Sequence, residues 1–196
     1  MLDAVIICMI VLVAISYLLY INRNMILQKG RDGHNYLVRD MDDKEKATDT
    51  LVVLRKKLID LIDYIDIKMD HSTDPNFLKY KENIKQIKSK LPSVVIRETS
   101  PYTNHTSFSV NKGQELNFCI RSKTTDDLHN INDLLYVAIH EIAHIGCPEI
   151  GHTKLFYDIN VFLLKEALEF NIYQYANYDT MPIEYCGIKL NHSVLN

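Results

Sequence analysis

NDLLYVAIHEIAHIGCPEIGH, residues 132–152, is the stretch on which the reading of the whole chain turns. On a helix, positions four apart share a face, so His140 and His144 present two imidazoles to one point. Zinc accepts neutral imidazole nitrogen, and a catalytic zinc site takes three protein ligands and keeps a further position for water. Glu141, one residue beyond the first histidine, stands where a carboxylate takes a proton from that water and later passes it to a leaving amine. The flanking positions Leu134, Leu135, Val137, Ala138, Ile139, Ile142 and Ala143 are apolar, as in a buried helix. Two histidines and a glutamate in such a helix are costly unless they are paired or bound to metal. A chance match to this motif arises in about one chain in a hundred of this composition.

Asn132 or Asp133 caps this helix, which runs to about Ile145, and Gly146 and Pro148 stop it. The break lets the chain fold back, which makes His152 the candidate third ligand. Glu149, Glu166 and Glu169 compete for that place, and metzincin spacing is absent. The next helix opens near Thr153 and carries Leu155, Phe156, Ile159, Phe162, Leu163, Ala167 and Phe170 inward. Cys147 reads as a small buried residue rather than a thiolate ligand. Among Tyr173, Tyr175, Tyr178 and Tyr185, the last is the candidate for offering a phenol to a developing oxyanion.

Upstream, residues 35–39 form a short strand and residues 42–70 a long helix, with Ala47, Leu51, Leu54, Leu58, Leu61, Ile65 and Met69 on one face. Asp74-Pro75 opens a second helix that Pro92 ends. Its lysines, Lys79, Lys81, Lys85, Lys88 and Lys90, make a solvated face. Strand chemistry follows in residues 94–96, 106–110 and 115–121, the last two joined by Asn111-Lys112-Gly113 as a hairpin. In the last strand Leu116, Phe118 and Ile120 alternate with Asn117, Cys119 and Arg121, which predicts one buried face. That strand is also where an extended substrate is expected to join the sheet. Residues 185–190 add a final strand.

The N-terminal residues 4–21, AVIICMIVLVAISYLLYI, carry no charge and are just long enough to cross a bilayer as a helix. The acidic start, the length and the lack of a small-x-small site favour a retained anchor over a cleaved signal. Arg23, Lys29 and Arg31 follow the span and Asp3 precedes it, which predicts a cytosolic C-terminal domain. Two sequons, at Asn104 and Asn191, would be glycosylation sites on the opposite side. Cys119, Cys147 and Cys186 are widely spaced, with no CxxC, and read as reduced thiols. A formal charge of -3 gives no footprint for nucleic acid.

With these residues in view, the chain resembles the WLM/SprT-like branch of the zincin metallopeptidases. HEIAH followed by GHTKLF is similar to that family's HExxH, third histidine and Phe four residues later. NKGQELNFCIR before it and PIEYCGIKL after it resemble uncharacterised, membrane-anchored WLM-like proteins of large DNA viruses. The resemblance implies a compact zincin fold with zinc on His140, His144 and His152 and Glu141 as general base. The gap of seven residues between His144 and His152 is longer than the family's usual one. The family acts on protein adducts on DNA or on ubiquitin-like modifiers; an anchor and an acidic balance point this chain away from DNA.

The expectation is an α+β, zincin-like domain at residues 34–196, a juxtamembrane linker at 22–33 and an anchor at 1–21. Its function is that of a membrane-anchored zinc-dependent peptidase acting on a protein or peptide substrate. The alternative is an inactive, membrane-tethered binding module in which zinc is structural.

Overall fold

The computed structural model describes residues 2–195, with side chains from residue 4 onward; Met1, Asn196 and the Asp3 side chain of the charge argument lie outside the described part. The first helix, α1 (Leu2–Ile21), leaves its apolar window Ala4–Ile21 wholly unburied. After three intervening residues the sheet begins. Strand β1 (Met25–Lys29) pairs antiparallel with β2 (Asn35–Arg39), so residues 22–33 are not the linker that their polarity predicts. Partner groups on β2 make this segment a strand, a long-range cause that local composition does not carry.

The helix α2 (Lys44–His71) buries the expected stripe, with Leu51, Leu54, Leu58, Leu61 and Ile65 fully inaccessible. Each such side chain contributes about 1.5–3 kcal/mol of burial. The second helical segment splits into α3 (Pro75–Leu78) and α4 (Lys81–Lys90), followed by a 3-10 turn, Leu91–Ser93. Asp74 caps α3 by accepting the amide of Asn76 at 2.9 Å. The lysine face is paired with α2: Lys88 meets Asp63 and Asp66, and Lys81 meets Asp70.

Strands β3 (Val95–Glu98), β4 (Phe108–Val110) and β5 (Glu115–Phe118) complete a five-stranded sheet in the order β1-β2-β3-β5-β4. β3 is parallel to β2 and β5, whereas β4 runs antiparallel to β5 at the sheet's edge. The chain ends in α5 (Ile131–Gly146), α6 (Lys154–Glu169) and a separate hairpin, β6 (Ile183–Tyr185) with β7 (Ile188–Leu190). The α+β class is as expected.

Two expectations about β5 fail together. It is flanked on both sides, and the sheet's edges are β1 and β4. Its expected polar face is also buried: Cys119 is 1% exposed and Arg121 1%. The reason is covalent on one side and ionic on the other. Cys119 is disulfide-bonded to Cys186, 67 residues away, where free thiols were expected. Arg121 pairs with Glu98 at 2.9 Å and with both oxygens of Asp43.

Candidate active site

Helix α5 starts one or two residues before the expected cap. Asn130 is the N-cap, its side chain accepting the amide of Asn132 at 2.8 Å. The helix ends at Gly146, where a Cβ would stand 2.8 Å from the Ile87 side chain, so a side chain there would push α4 away. Asn83 on α4 donates to the Gly146 carbonyl at 2.9 Å, satisfying one of the acceptors left open at the helix end. Thr153 caps α6 through the amide of Phe156 at 3.4 Å. The two helices thus hold the intervening residues 147–152 as a short return.

Lys112, in the β4–β5 turn, secures that return. Its ammonium donates to the carbonyls of Cys147, at 2.9 Å, Glu149, at 3.0 Å, and Pro148 between them. The result brings His152 back over α5. Its Nε2 lies 3.1 Å from Nε2 of His140, and ligand nitrogens of His140, His144 and His152 all fall within 4.8 Å of one another. Three nitrogens at about 2.0–2.1 Å from one tetrahedral zinc would be about 3.3 Å apart, so the set fits such an ion. Phe156, fully buried, forms the base: its ring stacks on His144 at 4.1 Å and meets His140 and His152 edge-on, each at 4.9 Å.

The electrostatics suit ligation. Burial, then the neighbouring His144 and His152, pull His140 down to about 4. Burial, with His152 and Lys112, does the same to His144. Both therefore present neutral imidazole, the form that binds metal. Glu141 is 5% exposed and accepts a hydrogen bond from the Ser109 backbone amide. Burial pushes its carboxyl up to about 7, which suits a group that must both take and return a proton.

These groups form the floor of a cleft of about 790 Å³. One wall is the edge strand β4 with Ser107 ahead of it. The other is the terminal hairpin, which contributes Tyr185, Ile188 and Leu190. The hairpin turns on Cys186 and Gly187, both at positive φ (56° and 82°), as a two-residue turn of primed type requires. Tyr185 shares a 2.7 Å hydrogen bond with Ser107, and its burial raises the phenol's pKa, which keeps it protonated. His129 stacks on the Tyr185 ring at 4.9 Å and accepts the amide of Cys186 at 3.3 Å.

The structure therefore gathers His140, Glu141, His144, His152 and Tyr185 at one cleft. It leaves Glu166 and Glu169 elsewhere, both paired with Lys68. Glu149 lines the rim without joining the imidazoles. Tyr178 donates to Asp133 at 2.8 Å and packs with Tyr136 away from the floor. Cys147 is fully buried and unbonded. Lys112, Ser107 and His129 escaped the sequence reading. Their roles arise from partners at least twelve residues distant, and nothing in the local pattern marks them.

No family model matches the chain. It is 37% identical to the uncharacterised protein R325 of Acanthamoeba polyphaga mimivirus, over 82% of this chain and 79% of that one. The uncharacterised protein 136R of invertebrate iridescent virus 6 is 38% identical over a shorter stretch, 41% of this chain and 44% of that one. Among solved structures, a Wss1 mutant from Saccharomyces cerevisiae aligns with a TM-score of 0.35 at 17% identity, covering 52% of this chain and 90% of the Wss1 chain. On the extent of the first of these likenesses, the chain belongs to the family of the mimivirus protein R325, whose relatives here come from large DNA viruses.

Proposed function

We propose that this protein is a membrane-anchored, zinc-dependent peptidase. The observation that carries the reading is the openness of the histidine cluster. A structural metal staple is closed by four protein ligands, whereas here three imidazoles meet at the floor of a cleft, beside a buried carboxylate. His140, His144 and His152 would hold the ion, which when bound would acidify water and polarise a carbonyl.

The chain's own groups supply the rest. An extended peptide lies along β4 and gains main-chain hydrogen bonds from that open edge. Glu141, oriented by the Ser109 amide, takes the proton of the attacking water and delivers it to the departing amine. The Tyr185 hydroxyl, protonated and already aimed across the cleft at Ser107, donates to the oxyanion as it develops.

Glu141→Gln tests this. Peptide hydrolysis followed by mass spectrometry should fall by about 10²–10⁴-fold, while zinc content stays at the wild-type value. Full activity in that variant would eliminate Glu141 as the base.

The helix Ala4–Ile21 serves as the anchor. On the side of the membrane, the flanking basic residues and the Cys119–Cys186 bond disagree. The bond is the stronger guide, because disulfides persist in oxidising compartments and three basic residues are a slight bias. Asn104 and Asn191 are both exposed and report the side: expression in eukaryotic cells should yield glycans on them. An unmodified chain with reduced cysteines would put the domain in the cytosol.

A further inference from the structure

The end of the apolar helix is built into the domain. The Ser100 hydroxyl donates to the Ile21 carbonyl. The Arg23 guanidinium sits 4.5 Å from the Tyr20 ring centre and 3.8 Å from that of Tyr102, and the two rings are 5.3 Å apart. Asn24 donates to the Tyr102 hydroxyl at 2.9 Å. A guanidinium packed against two aromatic rings is a favourable contact, worth most where water is excluded. A signal peptide has no use for such contacts, since cleavage would discard half of them.

This docking fixes where the cleft lies. Tyr17, Leu18 and Ile21 of the last helical turns face Phe108 and Val110 of the edge strand across a cavity of about 420 Å³. Phe108 also lines the catalytic cleft, so one residue of β4 separates the two spaces. Strand spacings of about 5 Å and layer spacings of about 10 Å then keep the cleft within roughly 15 Å of the helix end. The connection from helix to sheet is three residues long, which keeps the domain beside the helix end while the docking contacts set its orientation there.

We propose that the docked anchor holds the cleft at the bilayer surface, so that its substrates are the extended juxtamembrane stalks of other membrane-inserted polypeptides. The proposal rests on the peptidase reading. A chain spanning about 3.4 Å per residue needs only about ten residues to leave the bilayer and fill the cleft. Soluble polypeptides reach the same cleft, but they lack a restriction on which of their bonds enters it.

The experiment places the full-length chain in phosphatidylcholine nanodiscs with single-pass model substrates bearing one unstructured stalk. Cleavage sites are mapped by mass spectrometry, and the stalk sequence is then displaced outward by flexible spacers of 5, 10 and 20 residues. The position of the cut is the readout, because co-anchoring raises the rate for any peptidase. Cuts should stay within about ten residues of the bilayer, and a bond moved outward by 20 residues should lose at least tenfold in cleavage. The double substitution Arg23→Ala, Tyr102→Ala should spread the cuts outward while leaving the total rate near wild type. Cuts that follow one sequence outward with undiminished rate would overturn the proposal and leave the peptidase reading standing. A wild-type chain that cuts no stalk at any position, nor any soluble peptide, would remove the peptidase reading and this proposal with it.

Discussion

Two polar clusters interrupt the apolar interior, and they are built on opposite principles. Around Arg121, every charge has its counter-charge. Its guanidinium meets Glu98 at 2.9 Å and both Asp43 oxygens at 2.6 and 2.7 Å, while Glu98 also accepts the Arg39 amide at 2.8 Å. Strands β2, β3 and β5 and the start of α2 are thereby tied together, with no ligand wanted. Around His140, three groups of one kind converge instead. Their nitrogens face one another, Glu141 has a backbone donor but no cation among the described residues, and the cleft above is open. The closed cluster spends its interactions on the fold; the open one has the ligand set that the proposed function assigns to an ion.

The largest effect should come from removing one member of the closed cluster. Arg121→Met leaves Asp43 without its guanidinium and Glu98 with Arg39 alone, and should cost about 3–5 kcal/mol, read as a lowered urea midpoint of the full chain in detergent. The matching deletion in the open cluster, His144→Ala, should abolish zinc uptake yet leave the metal-free midpoint within about 1 kcal/mol, since it removes no counter-charge. Equal destabilisation by both would erase the distinction. Next comes Tyr185→Phe, which should lower kcat by about 10²–10³-fold with zinc content unchanged, if the phenol serves the oxyanion. A change confined to KM would assign Tyr185 to substrate binding.

The smallest effect on turnover concerns the hairpin wall of the cleft. The Cys119–Cys186 bond fastens the terminal hairpin to the end of β5, and Tyr185 is the adjacent residue. Cys186→Ser, or reduction of the wild type, should cost about 2–4 kcal/mol and depress turnover by loosening Tyr185. Thermal melting with and without reductant, alongside peptide assays, measures both. Unaltered turnover after full reduction would show that His129 stacking and the Ser107 hydrogen bond suffice to hold the hairpin.

Much of the open cluster was legible because its geometry is local. His140, Glu141 and His144 need only the period of one helix, and α2 declared itself by the same periodicity. His152 required one further inference, that Gly146 and Pro148 turn the chain back, and the structure adds the agents of that turn in Lys112 and Asn83. The closed cluster was illegible. Arg121 looked like an outward-facing residue of a half-buried strand, because nothing near it in sequence announces Glu98 or Asp43. The strand at Met25–Lys29 looked like a linker for the same reason, its hydrogen-bond partners lying on β2.

Local chemistry thus specified the α+β class, the helix-borne histidines with their glutamate, and the apolar N-terminal helix, since each depends on residues within a few turns. Strand order, the exposed edge at β4, the Cys119–Cys186 pairing and the docking of the N-terminal helix on Tyr102 came from the assembled chain. Each joins segments tens of residues apart, and a contact at that separation leaves no period in the sequence from which to read it.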